Sequence, residues 1–420
     1  MRKIKLGDIL DIKRGTSLSG KFYAEAGGKI RLTLGNFNYP LGGFKENTSK
    51  KNIYFSGNVK EEFILKKGDI ITPLTEQVSG LLGETARIPE DNLYIQSGDI
   101  GLVIPNEKVL NRLFAYYLLS SPIVKKQLDS AAQQTKIRHT SPEKIKDCEI
   151  WLPDMKHQEY TGVLLDAIND KIKNNNKINI ELESMTKTIY DYWFLQFEFP
   201  NEEGKPYKSS GGKMIWDEEL KKEIPEGWKV KQLKDVESNI ITGKTPSTKD
   251  KANYNGEIPF ITIGDIRGNM HIAKTEQTLS QKGADSQRGK YIPSGSICVT
   301  CIASPGLVAF ATKTSQTNQQ INSIICNKNY NRLYLYFSIL DYFKYSSGAK
   351  TGNTFANMSK EDFLGIKLIY PTVEILERFD KRTKDIYELI LTTSKENQEL
   401  ISLRDFLLPL LMNGQIGFRN

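Results

Sequence analysis

Residues 153–193 read PDMKHQEYTGVLLDAINDKIKNNNKINIELESMTKTIYDYW, and residues 371–411 read PTVEILERFDKRTKDIYELILTTSKENQELISLRDFLLPLL. The second stretch repeats the first at a shift of 218 positions (371 − 153). The aligned pairs include Ile168 and Ile386, Ile172 and Ile390, Asn179 and Asn397, Leu182 and Leu400, and Met185 and Leu403. A repeat of this size decides the architecture before any local pattern does, because each copy is one structural unit.

The residues that precede the two copies are also similar to each other. The matching segments are residues 6–9 (LGDI) with 233–236 (LKDV), 14–16 (RGT) with 242–244 (TGK), and 34–36 (LGN) with 263–265 (IGD). The chain therefore contains two copies of one unit, in which a globular segment is followed by a helix.

Length and composition bound the class of protein. A chain of 420 residues suits two domains of about 150 residues with connectors. With 39% hydrophobic and 26% charged residues, it has the composition of an ordinary soluble protein. Its apolar runs are too short to cross a bilayer and no signal peptide is indicated, so we expect a cytoplasmic protein. The net charge of +8 is compatible with a polyanionic partner but does not require one.

The cysteines and histidines do not indicate a metal site. Cys298 and Cys301 have CxxC spacing, but they stand in an alternating run typical of a strand, where side chains three residues apart point in opposite directions. No second CxxC exists in the sequence. We therefore expect no bound metal and interpret these cysteines as small buried residues.

Each globular half mixes strand signals with turn residues. Residues 63–72 (FILKKGDIIT) and 94–104 (YIQSGDIGLVI) each predict strand, turn and strand, and residues 291–299 (YIPSGSICV) repeat the first of these. Residues 111–128 have apolar side chains at helical spacing, with a stop and restart near Pro122, and residues 332–343 correspond to them. The predicted class is α+β with two similar sheet-rich halves.

The repeated helices carry an apolar seam. Its residues are Ile168, Ile172, Asn179 and Leu182 in the first copy, and Ile386, Ile390, Asn397 and Leu400 in the second. A single stripe of this kind usually packs on its own domain, but two matched stripes favour an antiparallel coiled coil with a pseudo-twofold axis. Each helix would then be about 50 Å long, with Asn179 and Asn397 as polar seam residues that fix the register.

The predicted organisation has five parts. They are a first globular domain (residues 1–154), a helix (155–198), a connector that grades from ordered to flexible (199–227), a second globular domain (228–370) and a final helix (371–420).

Motifs for catalysis are missing from the sequence. Residues 243–245 (GKT) resemble the end of a phosphate-binding loop, but Ser238 stands where that loop needs a glycine. No glycine-rich cofactor loop and no nucleophile elbow is present. The Asn-Pro-Pro-aromatic or Asp-Pro-Pro-aromatic element of a methyltransferase that acts on amino groups is also missing. We therefore predict a protein that is not an enzyme and binds no cofactor of its own.

Several segments together resemble the specificity subunit of type I restriction-modification systems, over essentially the whole chain. They are residues 224–233 (IPEGWKVKQL), 242–248 (TGKTPST), 258–266 (IPFITIGDI), 199–213 (FPNEEGKPYKSSGGK) and 400–416 (LISLRDFLLPLLMNGQI). The first half departs more, because residues 14–20 (RGTSLSG) lack the proline of the corresponding TGKTP segment. Residues 136–145 and 354–363 fit the segment that ends each half.

The resemblance implies a division of labour among subunits. Each globular half would be a target-recognition domain that reads one part of a split double-stranded DNA sequence, and the helices would set the gap and bind two methyltransferase subunits. S-adenosylmethionine would be held by those subunits, while ATP and Mg would act with two restriction subunits. The geometry agrees, since two lobes on one face of a duplex need centres about 34 Å apart.

Candidate DNA contacts are chosen by residue type and loop position, because Asn and Gln can pair with adenine and Arg with guanine. In the first half they are Arg14, Lys21, Tyr23, Arg31, Asn36, Gln133, Gln134, Lys136 and Arg138. In the second half they are Lys244, Thr245, Tyr254, Arg267, Gln316, Asn318, Gln319, Gln320, Lys350 and Asn353. The alternative hypothesis is a two-lobed protein-assembly scaffold that does not bind DNA; steep loss of affinity with salt would separate the two.

Overall fold

The computed structural model describes residues 2–39, 42–48, 51–76, 80–131, 138–349 and 357–418. The chain divides into two compact units: unit 1 comprises Met1–Ile172 and Leu400–Asn420, and unit 2 comprises Lys173–Glu399. Each unit contains mostly antiparallel sheets and part of two long helices. The predicted α+β class, with two sheet-rich halves and a pair of long helices, is confirmed.

Unit 1 is built from short strands followed by helices. Its described strands are β1 (Arg2–Lys5), β2 (Leu10–Arg14), β3 (Tyr23–Ala24), β4 (Lys29–Arg31), β5 (Tyr54–Phe55), β6 (Ile70–Pro73), β7 (Thr75–Glu76), β8 (Ala86–Arg87), β9 (Tyr94–Ile95), β10 (Ile100–Pro105), β11 (Arg138–His139) and β12 (Glu149–Leu152). Its described helices are α1 (Arg112–Leu119), α2 (Pro122–Ala131), α3 (Pro142–Lys146), the first part of α4 (Met155–Tyr190) and the last part of α10 (Val373–Met412).

Two sheets organise unit 1, with strand orders β2-β10-β6-β8 and β3-β5-β4-β9. Strand β6 is buried along its whole length, so its alternate residues serve two cores. Ile70 packs in a cluster with Phe114 of α1, and Ile71 packs in a second cluster with Leu32. The first sheet therefore lies between α1 and the second sheet.

Unit 2 repeats this plan. Its described strands are β13 (Met214–Asp217), β14 (Lys222–Pro225), β15 (Lys229–Gln232), β16 (Ile240–Thr242), β17 (Tyr254–Ile261), β18 (His271–Ile272), β19 (Gln277–Leu279), β20 (Ile297–Thr300), β21 (Val308–Ala311), β22 (Gln316–Thr317), β23 (Ile321–Ile324) and β24 (Lys367–Tyr370). Its described helices are the last part of α4, α5 (Leu233–Val236), α6 (Ile263–Ile266), α7 (Gln281–Asp285), α8 (Asn331–Ala349), α9 (Lys360–Leu364) and the first part of α10 (Val373–Met412).

The strand orders identify the corresponding elements of the two units. The run β16-β23-β20-β21 of unit 2 repeats β2-β10-β6-β8 of unit 1, with β18 added at its edge. The parallel pair β17–β22 repeats β4–β9, and the antiparallel pair β15–β24 repeats β1–β12. The sequence repeat is therefore a repeat of topology.

The two long helices have 36 and 40 residues. Asp154 caps α4, its side chain accepting a hydrogen bond from the His157 backbone N–H at 2.9 Å. In unit 1, Arg404 of α10 donates to Asn169 of α4 at 3.1 Å. A second contact of unit 1 joins His157 of α4 to the Leu411 carbonyl of α10 at 3.0 Å. In both units the partner on α10 has a lower number as the number on α4 rises, so the helices are antiparallel within each unit.

The helix interruption predicted at Pro122 is confirmed, since α1 ends at Leu119 and Pro122 is the first residue of α2. One predicted strand is wrong: Glu61–Phe63 forms a 3-10 turn, and only Ile64 makes a bridge, to Ile95.

The connector predicted at residues 199–227 is ordered in unit 2. Phe199 stacks on Tyr207 at 4.5 Å and on Trp228 at 5.1 Å. Strands β13 and β14 form a hairpin within it. Phe199 and Tyr207 pack in the unit 2 core, whereas Trp216 is 57% exposed. The flexibility of this segment stays a prediction. No described helix is long and apolar enough to span a membrane.

Candidate nucleic-acid interface

In unit 2 the loop after β16 lies directly against the loop before β23. The Gly243 N–H donates to the Ile321 carbonyl at 3.0 Å, and the Lys244 N–H donates to the Thr317 carbonyl at 2.9 Å. A Cβ atom at Gly243 would lie 2.2 Å from the Asn318 carbonyl oxygen, so this close approach requires glycine. The sequence GKT thus serves loop packing rather than a phosphate cradle.

These two loops bring four of the predicted DNA-contact residues to one edge. Thr245 donates from its hydroxyl to Gln319 Oε1 at 2.5 Å. Gln320 accepts at Oε1 from the Asn318 amide at 3.0 Å. Lys244 and Gln319 are exposed, and Gln320 and Thr245 are half-buried. We call this set, Lys244, Thr245, Gln319 and Gln320, the unit 2 loop edge.

Unit 1 builds the same edge from corresponding loops. The Gly15 N–H donates to the Ile100 carbonyl at 3.1 Å, and the Thr16 N–H donates to the Gln96 carbonyl at 3.2 Å. A Cβ atom at Gly15 would lie 2.2 Å from the Ser97 carbonyl oxygen. We call Arg14, Thr16, Ser17 and Gly98 the unit 1 loop edge.

The backbone of the two loop edges is shared, but the side chains differ. Arg14 in unit 1 is exposed and donates from Nε to the Gly98 carbonyl at 2.8 Å, which fixes its direction. Its counterpart in the sequence repeat is Thr242, which donates to Asn322 at 2.7 Å. Unit 1 therefore offers a guanidinium where unit 2 offers an ammonium group and amides.

A buried amide that the sequence reasoning did not find holds the unit 2 loop edge. Gln287 donates from Nε2 to the Lys244 carbonyl and to Gln316 Oε1, both at 2.7 Å. Gln96 has a similar role in unit 1, donating to the Lys13 carbonyl at 2.7 Å. Gln96 stands inside the segment predicted as strand-turn-strand, but no local pattern marks either glutamine, because their partners are distant in sequence.

Four predicted contact residues lie inside the units instead of at an edge. Gln316 is fully buried and donates to the Ala284 carbonyl at 2.8 Å. Asn318 is 9% exposed and its amide is bonded to Gln320, as described above. Because a buried amide is costly to detach from its partners, we leave both out of the proposed interface.

The other two buried residues are in unit 1. Arg31 donates from two guanidinium nitrogens to the Asn52 carbonyl, at 3.0 and 3.2 Å, and its guanidinium lies 3.9 Å from the Tyr23 ring centre. Asn36 accepts from the Thr33 N–H at 2.9 Å and caps a 3-10 turn. Both side chains are buried and hydrogen-bonded to the backbone of their own unit, so we leave them out of the interface as well.

The remaining described candidates are spread over the two units. Lys21 is exposed beside Phe22, while Tyr23 is half-buried and donates to the Leu18 carbonyl at 3.1 Å. Tyr254 is half-buried and donates to the Pro246 carbonyl at 2.8 Å, and Arg267 is exposed after α6. Gln133, Gln134, Lys136, Lys350 and Asn353 lie outside the described residues, and of Arg138 only the backbone, in β11, is described. Their roles remain predictions.

The predicted seam residues lie between the two long helices, and they differ in how deeply their side chains are buried. Ile168, Ile172, Ile390, Asn179 and Asn397 are buried, while Leu182, Ile386 and Leu400 are half-buried.

The polar seam residues do not meet each other. Asn397 accepts from the Asn175 amide at 2.9 Å, and Asn179 accepts from the Thr393 hydroxyl and donates to Ser394 at 3.3 Å. The two contacts are equivalent in the repeat, because Asn175 corresponds to Thr393 and Asn179 corresponds to Asn397 at the shift of 218 residues.

The thiols fit the predicted structural role. Cys298 and Cys301 pack in different core clusters, as expected for side chains that point to opposite faces of a sheet. Burial raises the pKa of Cys298 to about 12 and that of Cys301 to about 11, so both stay protonated at neutral pH. Among the described residues no cluster of three or more His, Cys, Asp or Glu side chains could hold a metal ion.

Comparison with protein families decides the assignment. A family model described as the type I restriction modification DNA specificity domain matches residues 1–184 and 225–400. These two stretches include both loop edges and the first parts of both long helices. The chain belongs to this family.

Individual relatives agree with the family. The chain is 30% identical over 406 residues to the type I restriction enzyme HindI specificity subunit of Haemophilus influenzae, with 84% of this chain and 87% of that protein covered. It is 24% identical over 321 residues to the MjaIX specificity subunit of Methanocaldococcus jannaschii, covering 75% and 71%. Its fold is similar to the crystal structure of a type I restriction-modification S subunit from M. genitalium, with a TM-score of 0.57 at 14% identity over 98% and 96% of the chains. This protein is a type I specificity subunit, as the resemblance predicted.

Proposed function

We propose that each unit of this specificity subunit reads one part of a split double-stranded DNA target through its loop edge. The supporting observation is that the two edges share one backbone construction, in which Gly15 and Gly243 pack against a partner loop, but carry different side chains. A common scaffold with different side chains is what two readers of different sequences need, because base edges are distinguished by donor and acceptor patterns.

The chemistry of each edge suggests its contacts. In unit 2, Lys244 would pair with a phosphate and fix the register, while the Gln319 and Gln320 amides would face base edges. In unit 1, the terminal guanidinium nitrogens of Arg14 would donate to guanine, since its Nε is held by Gly98.

The helices would set the gap between the two half-targets and bind two methyltransferase subunits. Large apolar side chains on both helices are exposed in this chain, which supports a role in binding protein partners. They are Ile178, Ile180, Met185, Leu389, Leu403 and Phe406. S-adenosylmethionine would be bound by the methyltransferase subunits, and ATP and Mg by restriction subunits that complete the complex.

We also propose that the chain is the non-catalytic subunit of that complex. Support comes from its site chemistry, since the candidate edges offer amides, hydroxyls and cations and both strand cysteines are buried and protonated. A chain of this kind selects the DNA on which another subunit acts.

Mapping methylated adenines in DNA from cells that carry this chain with its partners tests the main proposal. The expected result is one motif made of two short sequences with a gap of constant length. An uninterrupted motif, or the same methylation without this chain, would contradict it.

Variants of the unit 2 loop edge test the assignment of roles. Lys244→Gln should weaken binding to all DNA sequences and lower the salt slope of log K by about 1, whereas Gln319→Ala should relax specificity at one position at a cost of about 1–3 kcal/mol. Lys328→Gln is the matched control, since this exposed lysine follows the opposite end of β23. Equal effects of Lys244→Gln and Lys328→Gln would reject the loop edge as the interface.

A further inference from the structure

A groove of about 730 Å³ lies in unit 2, between the end of α4 and the start of α10. Its lining residues are Thr188, Ile189, Tyr192, Trp193, Pro200, Arg378, Lys381 and Arg382. The groove is remote in sequence from the loop edge and uses none of its residues.

The groove combines an apolar floor with a cationic wall. Trp193 is only 8% exposed and packs on Phe379 at 5.8 Å, so the floor is held by the unit 2 core. The wall presents Arg378, Lys381 and Arg382, of which the last two are exposed. Among the described residues that line the groove, none is a carboxylate. Arg378 also forms a long ion pair with Glu374, one turn earlier on α10, at 3.8 Å.

The corresponding surface of unit 1 has another chemistry. At the shift of 218 residues the three cations Arg378, Lys381 and Arg382 are replaced by Tyr160, Val163 and Leu164, and Thr188 corresponds to Phe406. Tyr160 is 46%, Val163 60% and Phe406 65% exposed. The two ends of the helix repeat therefore present one cationic groove, in unit 2, and one apolar surface, in unit 1.

We propose that the unit 2 groove binds an acidic protein segment that carries an aromatic or aliphatic anchor side chain, while the corresponding surface of unit 1 binds its partner by apolar contact alone. The inference rests on the proposed docking of methyltransferase subunits on the helices, and it names the chemistry of that docking. An acidic peptide fits better than a nucleic acid backbone, because phosphates make no use of a floor formed by Trp193, Ile189 and Pro200. The two docked subunits are then held by different forces.

Different forces predict different responses to salt. Attraction between exposed charges is screened over about 8–10 Å at physiological ionic strength, whereas apolar contact is not weakened by salt. When the complex with two methyltransferase subunits is taken from about 0.1 to about 0.5 M ammonium acetate, a volatile salt, native mass spectrometry should show release of one subunit before the other. Simultaneous release of both subunits would overturn the proposal.

Charge reversal identifies the groove as the salt-sensitive surface. The triple variant Arg378→Glu, Lys381→Glu and Arg382→Glu should weaken one of the two binding steps on the order of 100-fold and leave the other unchanged. The matched control is Lys66→Glu, Lys67→Glu and Lys108→Glu, which changes the same charge at exposed positions of unit 1. Equal weakening of both steps, or an equal effect of the control, would overturn the proposal.

Cross-linking identifies the occupant. With the photoreactive residue p-benzoylphenylalanine in place of Thr188, which is exposed on the groove wall, irradiation of the assembled complex should join the groove to an acidic methyltransferase peptide. A cross-link to DNA, to a neutral or basic peptide, or to nothing would overturn the groove's assignment. Failure of the unmodified chain to bind methyltransferase subunits at all would instead reject the proposed function.

Discussion

The two units attach their sheets to the long helices at the same place but with different chemistry. In unit 1, Arg87 of β8 forms an ion pair with Asp166 of α4 and lies over the Tyr116 ring at 4.9 Å. In unit 2, Phe310 of β21 stacks on Tyr336 at 5.0 Å and meets Tyr387 of α10 edge-on at 5.1 Å.

Sheet register shows that these residues correspond. Arg87 is opposite Ile70 of β6, and Phe310 is opposite Ile297 of β20, the equivalent strand. We call the first set, Arg87, Asp166 and Tyr116, the polar anchor, and the second set, Phe310, Tyr336 and Tyr387, the aromatic anchor.

The polar anchor is directional because it extends through a chain of hydrogen bonds. The Tyr117 hydroxyl donates to Asp166 at 2.9 Å, the Asn169 amide donates to the Tyr117 oxygen at 2.9 Å, and Arg404 of α10 donates to Asn169 at 3.1 Å. These bonds fix one angle between sheet and helix at the cost of desolvating charges.

The aromatic anchor relies on buried area instead. Phe310 is fully buried, and His271 stacks on it at 5.5 Å. Burial, and then the charge of Lys395, lower the pKa of His271 to about 3, so this ring is neutral at physiological pH. The comparison teaches that one topology accepts either solution, provided that sheet and helix are joined at this point.

The largest expected effect is breakage of the aromatic anchor. Phe310→Ala should destabilise unit 2 by about 3–5 kcal/mol, because it removes a fully buried ring that three aromatic neighbours surround. Urea unfolding together with hydrogen exchange of unit 2 peptides measures this. Loss of protection in unit 1 instead of unit 2 would contradict the local role.

The next largest effect is expected when the carboxylate charge of the polar anchor is removed. Asp166→Asn should destabilise unit 1 by about 2 kcal/mol, less than for a fully buried pair because both side chains are partly exposed. Adding Arg87→Met should recover part of the loss, since it removes the uncompensated cation. Lys384→Gln, at the corresponding position of α10, is the matched control and should change stability by less than about 0.5 kcal/mol. Equal losses in both variants would argue against the ion pair.

A half-buried acid beside the aromatic anchor, Glu183 of α4, gives a pH effect of smaller size. Burial raises the pKa of Glu183 from 4.5 to about 7, and burial together with the Glu183 carboxyl raises the pKa of Tyr336. Between pH 4.5 and 7 the folded chain keeps a proton that the unfolded chain has released, so stability falls as the pH rises through this window.

Substitution of this acid tests the sign. Glu183→Gln should stabilise unit 2 by about 1–2 kcal/mol at pH 8, with no gain below pH 4.5, after allowance for its partial exposure. Thermal unfolding at a series of pH values measures the difference. Glu181→Gln removes the same charge at an exposed position of α4 and is the matched control; an equal gain in both variants at pH 8 would contradict the role of burial.

The smallest effect is expected at the asparagine seam, where the two helix copies do not differ in kind. Exchange of Asn179 and Asn397 for Leu should keep or raise stability, changing it by less than about 1 kcal/mol, while loosening the register. Measurement requires the structure of the double variant as well as its unfolding curve. Unchanged helix pairing would contradict the register role, and the single variants separate the Asn175 contact from the Thr393 contact.

Sequence patterns predicted the features that depend on local periodicity. The seam from Ile168 to Leu182 and its copy from Ile386 to Leu400 follow helical spacing, and Pro122 restarts a helix because it lacks an N–H. The packing of Gly243 was missed, because its reason is the Asn318 carbonyl, far along the chain, which folding brings so close that a Cβ atom at residue 243 would lie 2.2 Å from it.

The candidate interface was predicted only in part. Residue type selected Lys244 and Gln319 at an edge, but also selected Arg31, Asn36 and Gln316, whose groups are bonded inside the units. Residue type does not reveal burial, because an amide side chain offers the same donors and acceptor to a DNA base and to a buried backbone carbonyl.

The sequence alone determined that this protein is a repeated pair of sheet-rich half and long helix, because periodicity and a shift of 218 residues are properties of the chain. Only the tertiary structure decided that Arg87 and Phe310 are equivalent anchors and that Asn175, not Asn179, contacts Asn397. Those pairings join residues far apart along the chain, and the side-chain contacts that select them exist only after the sheets and helices have packed.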